Sequence, residues 1–189
     1  MLKTAFRLRS RGTENVPAEG GFVLAANHTS NFDPWALGMP LFPRRYLRFM
    51  AKSELFWFPL GAVLRAGGAF RVHRGRGDEE AIERAVHLCR AGHVVVMFPE
   101  GTRRKKGFRK KHEARWHSGA ARIALDAPVP LVPAAIRGTD RLVRLGPLRV
   151  AYGRQVQVDG LAERPPSEAA RVATERLREA IEGLEASLA

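Results

Sequence analysis

Val94-Val95-Val96-Met97-Phe98, running at once into Pro99-Glu100-Gly101, is the stretch that decides the architecture. Three β-branched residues and two large apolar ones follow one another without a polar interruption. A strand of this kind has both faces covered, as inside a parallel sheet, whereas a half-exposed antiparallel strand alternates.

Working outward, Phe22-Val23-Leu24-Ala25-Ala26 is a second such run, introduced by the turn signals Asn15-Val16-Pro17 and Gly20-Gly21 and delivering Asn27 and His28 at its end. Tyr46 to Ala51, Phe70 to Val72, Leu131 to Ile136 and Leu148 to Tyr152 are further strand candidates, and Phe6-Arg7-Leu8-Arg9 alternates like a strand. Helical spacing fills the gaps: Glu79 to Arg90 with Ile82, Ala85, Val86 and Cys89 on one face, and His112 to Asp126 with Ala120, Ile123 and Ala124. Pro166 to Leu188 closes the chain, with Ser167 near its start and Leu177, Ile181, Leu184 and Leu188 at helical spacing. Strands alternating with helices predict an α/β sandwich, a mostly parallel sheet flanked by helices. Residues 1–189 read as a single domain ending in a helix at about 166–188, without repeats.

Against 19 Asp and Glu stand 32 Lys and Arg, a formal net charge of +13, so the surface is expected to meet something anionic. Nucleic acid, an anionic bilayer and an acidic carrier protein all satisfy that condition. The basic segment Arg103 to Lys111 has no interleaved aromatic beyond Phe108 and no nucleic-acid motif accompanies it, so nucleic acid is not expected as a partner. The single cysteine, Cys89, excludes an internal disulfide and offers no cysteine pair for zinc, which suits a reducing cytoplasm. Leu55 to Leu64, the longest apolar stretch, is interrupted by Pro59 and falls short of the roughly 20 residues of a spanning helix. No apolar core follows Met1 to Arg7, so neither a leader peptide nor a membrane span is expected.

His28-Thr29-Ser30-Asn31-Phe32-Asp33 places a histidine five residues before an aspartate, between a buried strand and a helix. In a regular helix that offset separates side chains by roughly 140°, so the two can meet only across a non-helical turn, which Thr29, Ser30 and Asn31 favour. Read locally, Asp33 before Pro34 also suits a helix start, with aspartate as N-cap. A neutral imidazole can take a proton from an alcohol near neutral pH, and a carboxylate on its other nitrogen holds the tautomer. Cys89 falls on an apolar helix face and no serine sits in a recognisable nucleophile elbow, so direct attack by a substrate hydroxyl is the reaction the pair suits.

Four blocks in order carry a resemblance to a known family: Asn27-His28 through Asp33; Gly68-Ala69-Phe70-Arg71-Val72-His73-Arg74; Phe98-Pro99-Glu100-Gly101-Thr102-Arg103; and Val129-Pro130-Leu131-Val132-Pro133. Together, between residues 27 and 133, they resemble the glycerophospholipid acyltransferases, which include bacterial 1-acylglycerol-3-phosphate acyltransferases. The resemblance implies His28 as general base and Asp33 as its orienting carboxylate. It implies acceptor binding by Arg74, Glu100, Gly101, Thr102 and Arg103, with Lys52 as a further phosphate contact. The implied substrates are a lysophospholipid acceptor, lysophosphatidic acid first, and an acyl thioester of coenzyme A or acyl carrier protein, with no metal or other cofactor. His73 and Arg104 depart from the common pattern, where an acidic or other polar residue and a serine are frequent, and bear on the choice of acceptor.

A lipid substrate implies peripheral attachment to the inner face of the cell membrane. Trp35, Phe42, Phe56, Trp57 and Phe58 beside a basic surface can together supply an interfacial patch, while any single one of them reads more simply as core. Two rival readings remain at this level, a basic nucleic-acid-binding protein and a non-catalytic lipid-binding protein of the same fold. Pro130 and Pro133, unable to donate ladder hydrogen bonds, are expected at edge or bulge positions.

Overall fold

The computed structural model describes residues 7–72, 78–101, 116–144, 147–161 and 163–188. Seven strands form one sheet: β1 (Arg9–Arg11), β2 (Phe22–Ala26), β3 (Leu47–Lys52), β4 (Ala69–Val72), β5 (Val94–Met97), β6 (Leu131–Arg137) and β7 (Arg149–Tyr152), in the order β1-β7-β6-β2-β5-β3-β4. Among the described residues only the β6–β7 pair is antiparallel. Five α-helices among the described residues accompany the sheet: α1 (Asp33–Gly38), α2 (Leu60–Ala66), α3 (Asp78–Arg90), α4 (Gly119–Asp126) and α5 (Pro166–Ser187).

The two-sided burial expected of β5 and β2 follows from this layering. Phe22, Leu24 and Ala26 pack with Val94 and Val96 under Ala36 and Leu37 of α1 and Leu64 of α2. Val23, Ala25 and Val95 face the other way, against Ile82, Ala85, Val86 and Cys89 of α3, Ile123 of α4, and Leu177 and Ile181 of α5. A fully buried side chain of this size contributes about 1.5–3 kcal/mol, so the two apolar layers supply the main driving force for the sandwich.

β2 and β5 are neighbours, yet the chain leaves β2 through α1 on one face of the sheet and reaches α4 on the opposite face after β5. Diverging connections of this kind open a crevice at the carboxyl ends of parallel strands. His28 follows β2 and Phe98 follows β5, so both stand at that crevice.

Three expectations are corrected. The first strand begins at Arg9, not Phe6, because Arg7 has a φ of 45°, outside the extended region; Phe6 is not among the described residues. The helix expected from His112 begins at Gly119, with Trp116 to Ser118 non-helical and residues 112–115 not described. Pro133 lies inside β6, with β2 on one side and β7 on the other. Its carbonyl faces the β7 side and accepts from the amide of Gly153, just past the last β6–β7 pair at Ala134 and Tyr152, so the proline stands where that ladder ends. Pro130 precedes the strand, its carbonyl accepting from Val23.

Candidate active site

Asn27 fixes the end of β2. Its amide oxygen accepts from the Ile136 N–H at 2.8 Å, and its Nδ2 donates to the Ile136 carbonyl at 3.0 Å and to Glu185 Oε1 of α5 at 2.8 Å. The buried side chain thus continues the sheet one residue past β2 and ties it to β6 and the last helix. The next residue, His28, is held in place by these bonds.

The chain then turns, as the His28 to Asp33 offset requires. Asp33 is the first residue of α1 and is fully buried, with Pro34 behind it. Its carboxylate does not cap the helix; it points back into the turn. Oδ2 accepts from the Thr29 N–H at 2.7 Å, the Ser30 N–H at 2.8 Å and His28 Nδ1 at 2.8 Å. A carboxylate oxygen only accepts, so Nδ1 carries a proton, and in the neutral imidazole Nε2 is then the nitrogen with the lone pair. The imidazole is stacked on Phe98, with centroids 4.1 Å apart and planes 19° from parallel, and its side chain remains 18% exposed. The arrangement holds the imidazole in one orientation, partly exposed at the carboxyl end of β2.

Two threonines complete the carboxylate's surroundings. Thr139 donates to Asp33 Oδ1 at 2.5 Å, and the Thr29 and Thr139 hydroxyls lie 2.8 Å apart. Thr139 is buried and reaches this position because Gly138, with φ of 97°, turns the chain sharply after β6; a Cβ there would meet the Pro147 carbonyl oxygen at 2.5 Å. Sequence reasoning missed Thr139, which lies outside the four blocks. The available signal was a glycine followed by a hydroxyl residue at the exit of a buried strand.

After β5 a tight turn, closed by the Gly101 N–H on the Phe98 carbonyl at 3.0 Å, carries Glu100. Glu100 is buried at 2% exposure, so it is not a solvated surface charge. Gly101 has φ of 67°, and a Cβ on it would stand 2.8 Å from the ring of His117, a residue whose backbone N–H donates to the Pro99 carbonyl. The close approach that Gly101 permits is therefore filled by His117, a residue not singled out from sequence. Lys52 ends β3 at the same end of the sheet, its backbone opposite Val72. Arg74, Thr102, Arg103, His73, Arg104 and the basic segment 103–111 lie outside the described residues.

Cys89 is buried, and burial pushes its thiol up to about 12, in line with core packing. Among the described residues no group of His, Cys, Asp and Glu could hold a metal ion, and no helix is long and apolar enough to cross a membrane. The expected aromatic patch does not hold as one surface. Phe56 is core at 8% exposure, and Phe42 is exposed but sits ahead of β3, at the opposite end of the sheet from His28. Trp57 and Phe58 follow β3 at the crevice end, where Phe32 and Leu55 are also exposed.

A family model described as Acyltransferase matches residues 7–137. The chain is 33% identical to 1-acyl-sn-glycerol-3-phosphate acyltransferase of Bacillus subtilis, over 93% of this chain and 86% of the relative. It is 32% identical to a probable 1-acyl-sn-glycerol-3-phosphate acyltransferase of Mycoplasma pneumoniae, over 67% of this chain and 47% of that one. With the human beta form the identity is 31%, over 59% of this chain and 39% of the relative. The matched region contains the whole His28–Asp33 turn and the strands that present it, and the chain belongs to the Acyltransferase family.

Proposed function

We propose that the protein transfers a fatty acyl group from an acyl thioester to the free hydroxyl of lysophosphatidic acid, with His28 as general base. The observation that carries this reading is the buried Asp33 carboxylate on His28 Nδ1, which leaves Nε2 as the proton acceptor at the crevice. The names of the relatives supply the acceptor class.

In the proposed reaction the acceptor hydroxyl attacks the thioester carbonyl carbon while Nε2 removes its proton. The C–O bond forms and a tetrahedral intermediate results. Its collapse breaks the C–S bond, and the imidazolium returns the proton to the departing thiolate. Asp33 stabilises the imidazolium in between. Arg74, Arg103, Thr102 and Lys52 are assigned to the acceptor phosphate, and Glu100 with Gly101 to its polar head, on the resemblance of their blocks. In support, β3, β4 and β5 all deliver the chain to the end of the sheet where His28 stands.

The reaction takes place at an anionic membrane surface on the cytoplasmic side. Phe58 is 88% exposed and Trp57 58% exposed beside the crevice, and the Arg71 guanidinium lies 4.9 Å over the Phe56 ring at the same end. Tryptophan favours the headgroup zone, and each nearby basic residue adds about 1 kcal/mol on an anionic surface. Phe58→Glu should abolish co-sedimentation with phosphatidylglycerol vesicles at low salt, and Phe42→Glu should not. Equal effects of the two changes would refute this placement.

The function itself is tested by mass analysis of the product. Purified protein with a long-chain acyl-coenzyme A or acyl carrier protein and lysophosphatidic acid should yield phosphatidic acid. Product from glycerol 3-phosphate alone would move the acceptor assignment, and no ester with any of these would refute it.

A further inference from the structure

The hydroxyl of Thr139 makes two short contacts, and both are to the turn that carries the proposed base. One is Asp33 Oδ1 at 2.5 Å and the other the Thr29 hydroxyl at 2.8 Å. Thr139 comes from the exit of β6, more than a hundred residues away in sequence, and is 2% exposed. The chemistry fixes the direction of this chain of bonds. A carboxylate oxygen only accepts, so Thr139 donates to Oδ1; its own oxygen then accepts from Thr29. The alternative contact of Thr29 with Oδ1 is longer, at 3.4 Å. On the other side of the same carboxylate, Oδ2 accepts from His28 Nδ1 and two backbone amides. Thr29 O–H, Thr139 O–H, Asp33 and His28 N–H therefore form a continuous sequence that ends at the lone pair on Nε2, and bonds in such a sequence polarise one another.

We propose that Thr139 is a positioning residue for acyl transfer: from the β6 exit it anchors the Asp33 oxygen that His28 does not use, and so holds the imidazole in register with the crevice. Two further contacts make the anchor rigid. Asn27 locks the end of β2 to Ile136, three residues before Thr139. Gly138 supplies the left-handed turn that aims Thr139 at Asp33 rather than along the strand. With the hydroxyl removed, Oδ1 keeps only the 3.4 Å contact to Thr29, and the orientation of the carboxylate toward Nδ1 rests on the bonds to Oδ2 alone.

This inference rests on the proposed function only for its kinetic readout. Thr139→Val keeps the shape and removes the hydroxyl, and Thr139→Ser keeps the hydroxyl and removes the methyl. The expected result is a fall in kcat of about ten-fold or more for Thr139→Val, with KM changed less than about three-fold. Thr139→Ser should recover most of the loss. The second readout needs no turnover: the downfield proton signal of His28 Nδ1–H, assigned by its disappearance in His28→Ala. It should persist in wild type and Thr139→Ser and move upfield or vanish by exchange in Thr139→Val. An unchanged signal in a folded Thr139→Val protein would overturn the proposal, as would equal losses for Val and Ser, which would mark a packing role. If the wild type acylates no lysophospholipid, the function fails while the proton signal still decides the role of Thr139.

Discussion

Replacing Asp33 with asparagine removes a charge and leaves the shape. The side chain can keep an oxygen toward the Thr29 and Ser30 amides, and Thr139 can turn its hydroxyl to accept from the new NH2 group. The fold is therefore expected to survive with a loss of about 1–3 kcal/mol. The rate is another matter. As His28 takes the substrate proton it becomes an imidazolium whose Nδ1 lies 2.8 Å from Asp33 Oδ2, with the carboxylate fully buried. Taking the delocalised charges as about 4 Å apart and an effective dielectric of about 20, their attraction is about 4 kcal/mol. The neutral asparagine forfeits most of it, so kcat should fall about 10³-fold. KM for the acceptor should change only a few-fold, because Asp33 touches no substrate. Thiol release at saturating acceptor reads kcat, and an acceptor titration reads KM. The double variant with His28→Ala should be no slower than His28→Ala alone, since the two side chains act as one unit. A folded Asp33→Asn protein with kcat within ten-fold of wild type would refute the reasoning.

Two other perturbations follow from the buried parts of the structure. Asn27→Ala deletes both bonds to the Ile136 backbone and one to Glu185, leaving a buried N–H without its acceptor; denaturant unfolding should show a loss of about 2–4 kcal/mol, and a change below about 0.5 kcal/mol would contradict the clamp. Cys89 is buried and its thiol stays neutral up to about 12, against about 8.5 when unfolded, so iodoacetamide at pH 8 should label the denatured chain and spare the native one. By the same linkage, the stability Cys89 contributes is fully present below about pH 8.5 and is lost as pH rises toward 12.

What could be read from the sequence divides along physical lines. β2 and β5 were legible because a strand buried on both faces must be apolar throughout, and a run such as Val94-Val95-Val96 has few other uses. The His28–Asp33 pairing was legible only with the four blocks read together, because locally Asp33 before Pro34 suits an N-cap and the residues between merely allow the turn. Asn27 was visible as the end of a strand but not as a clamp, since its partners Ile136 and Glu185 are over a hundred residues distant. Thr139 was hidden for the same reason. Pro133 misled because a proline is harmful in a ladder only where its nitrogen would have donated, and that depends on where the neighbouring strand ends. The aromatic patch misled because composition does not say which end of a sheet a side chain occupies. Phe42 and Phe58 are close in sequence yet lie at opposite ends of β3.

The central claim is that His28 removes the proton from a lipid hydroxyl as it attacks an acyl thioester. Its most direct test is thiol release from a long-chain acyl-coenzyme A with lysophosphatidic acid, comparing wild type with His28→Ala at equal folded protein. The account predicts release that depends on the acceptor and falls about 10²–10⁴-fold in the variant, with the melting temperature nearly unchanged. Near-normal acceptor-dependent release by His28→Ala would contradict it.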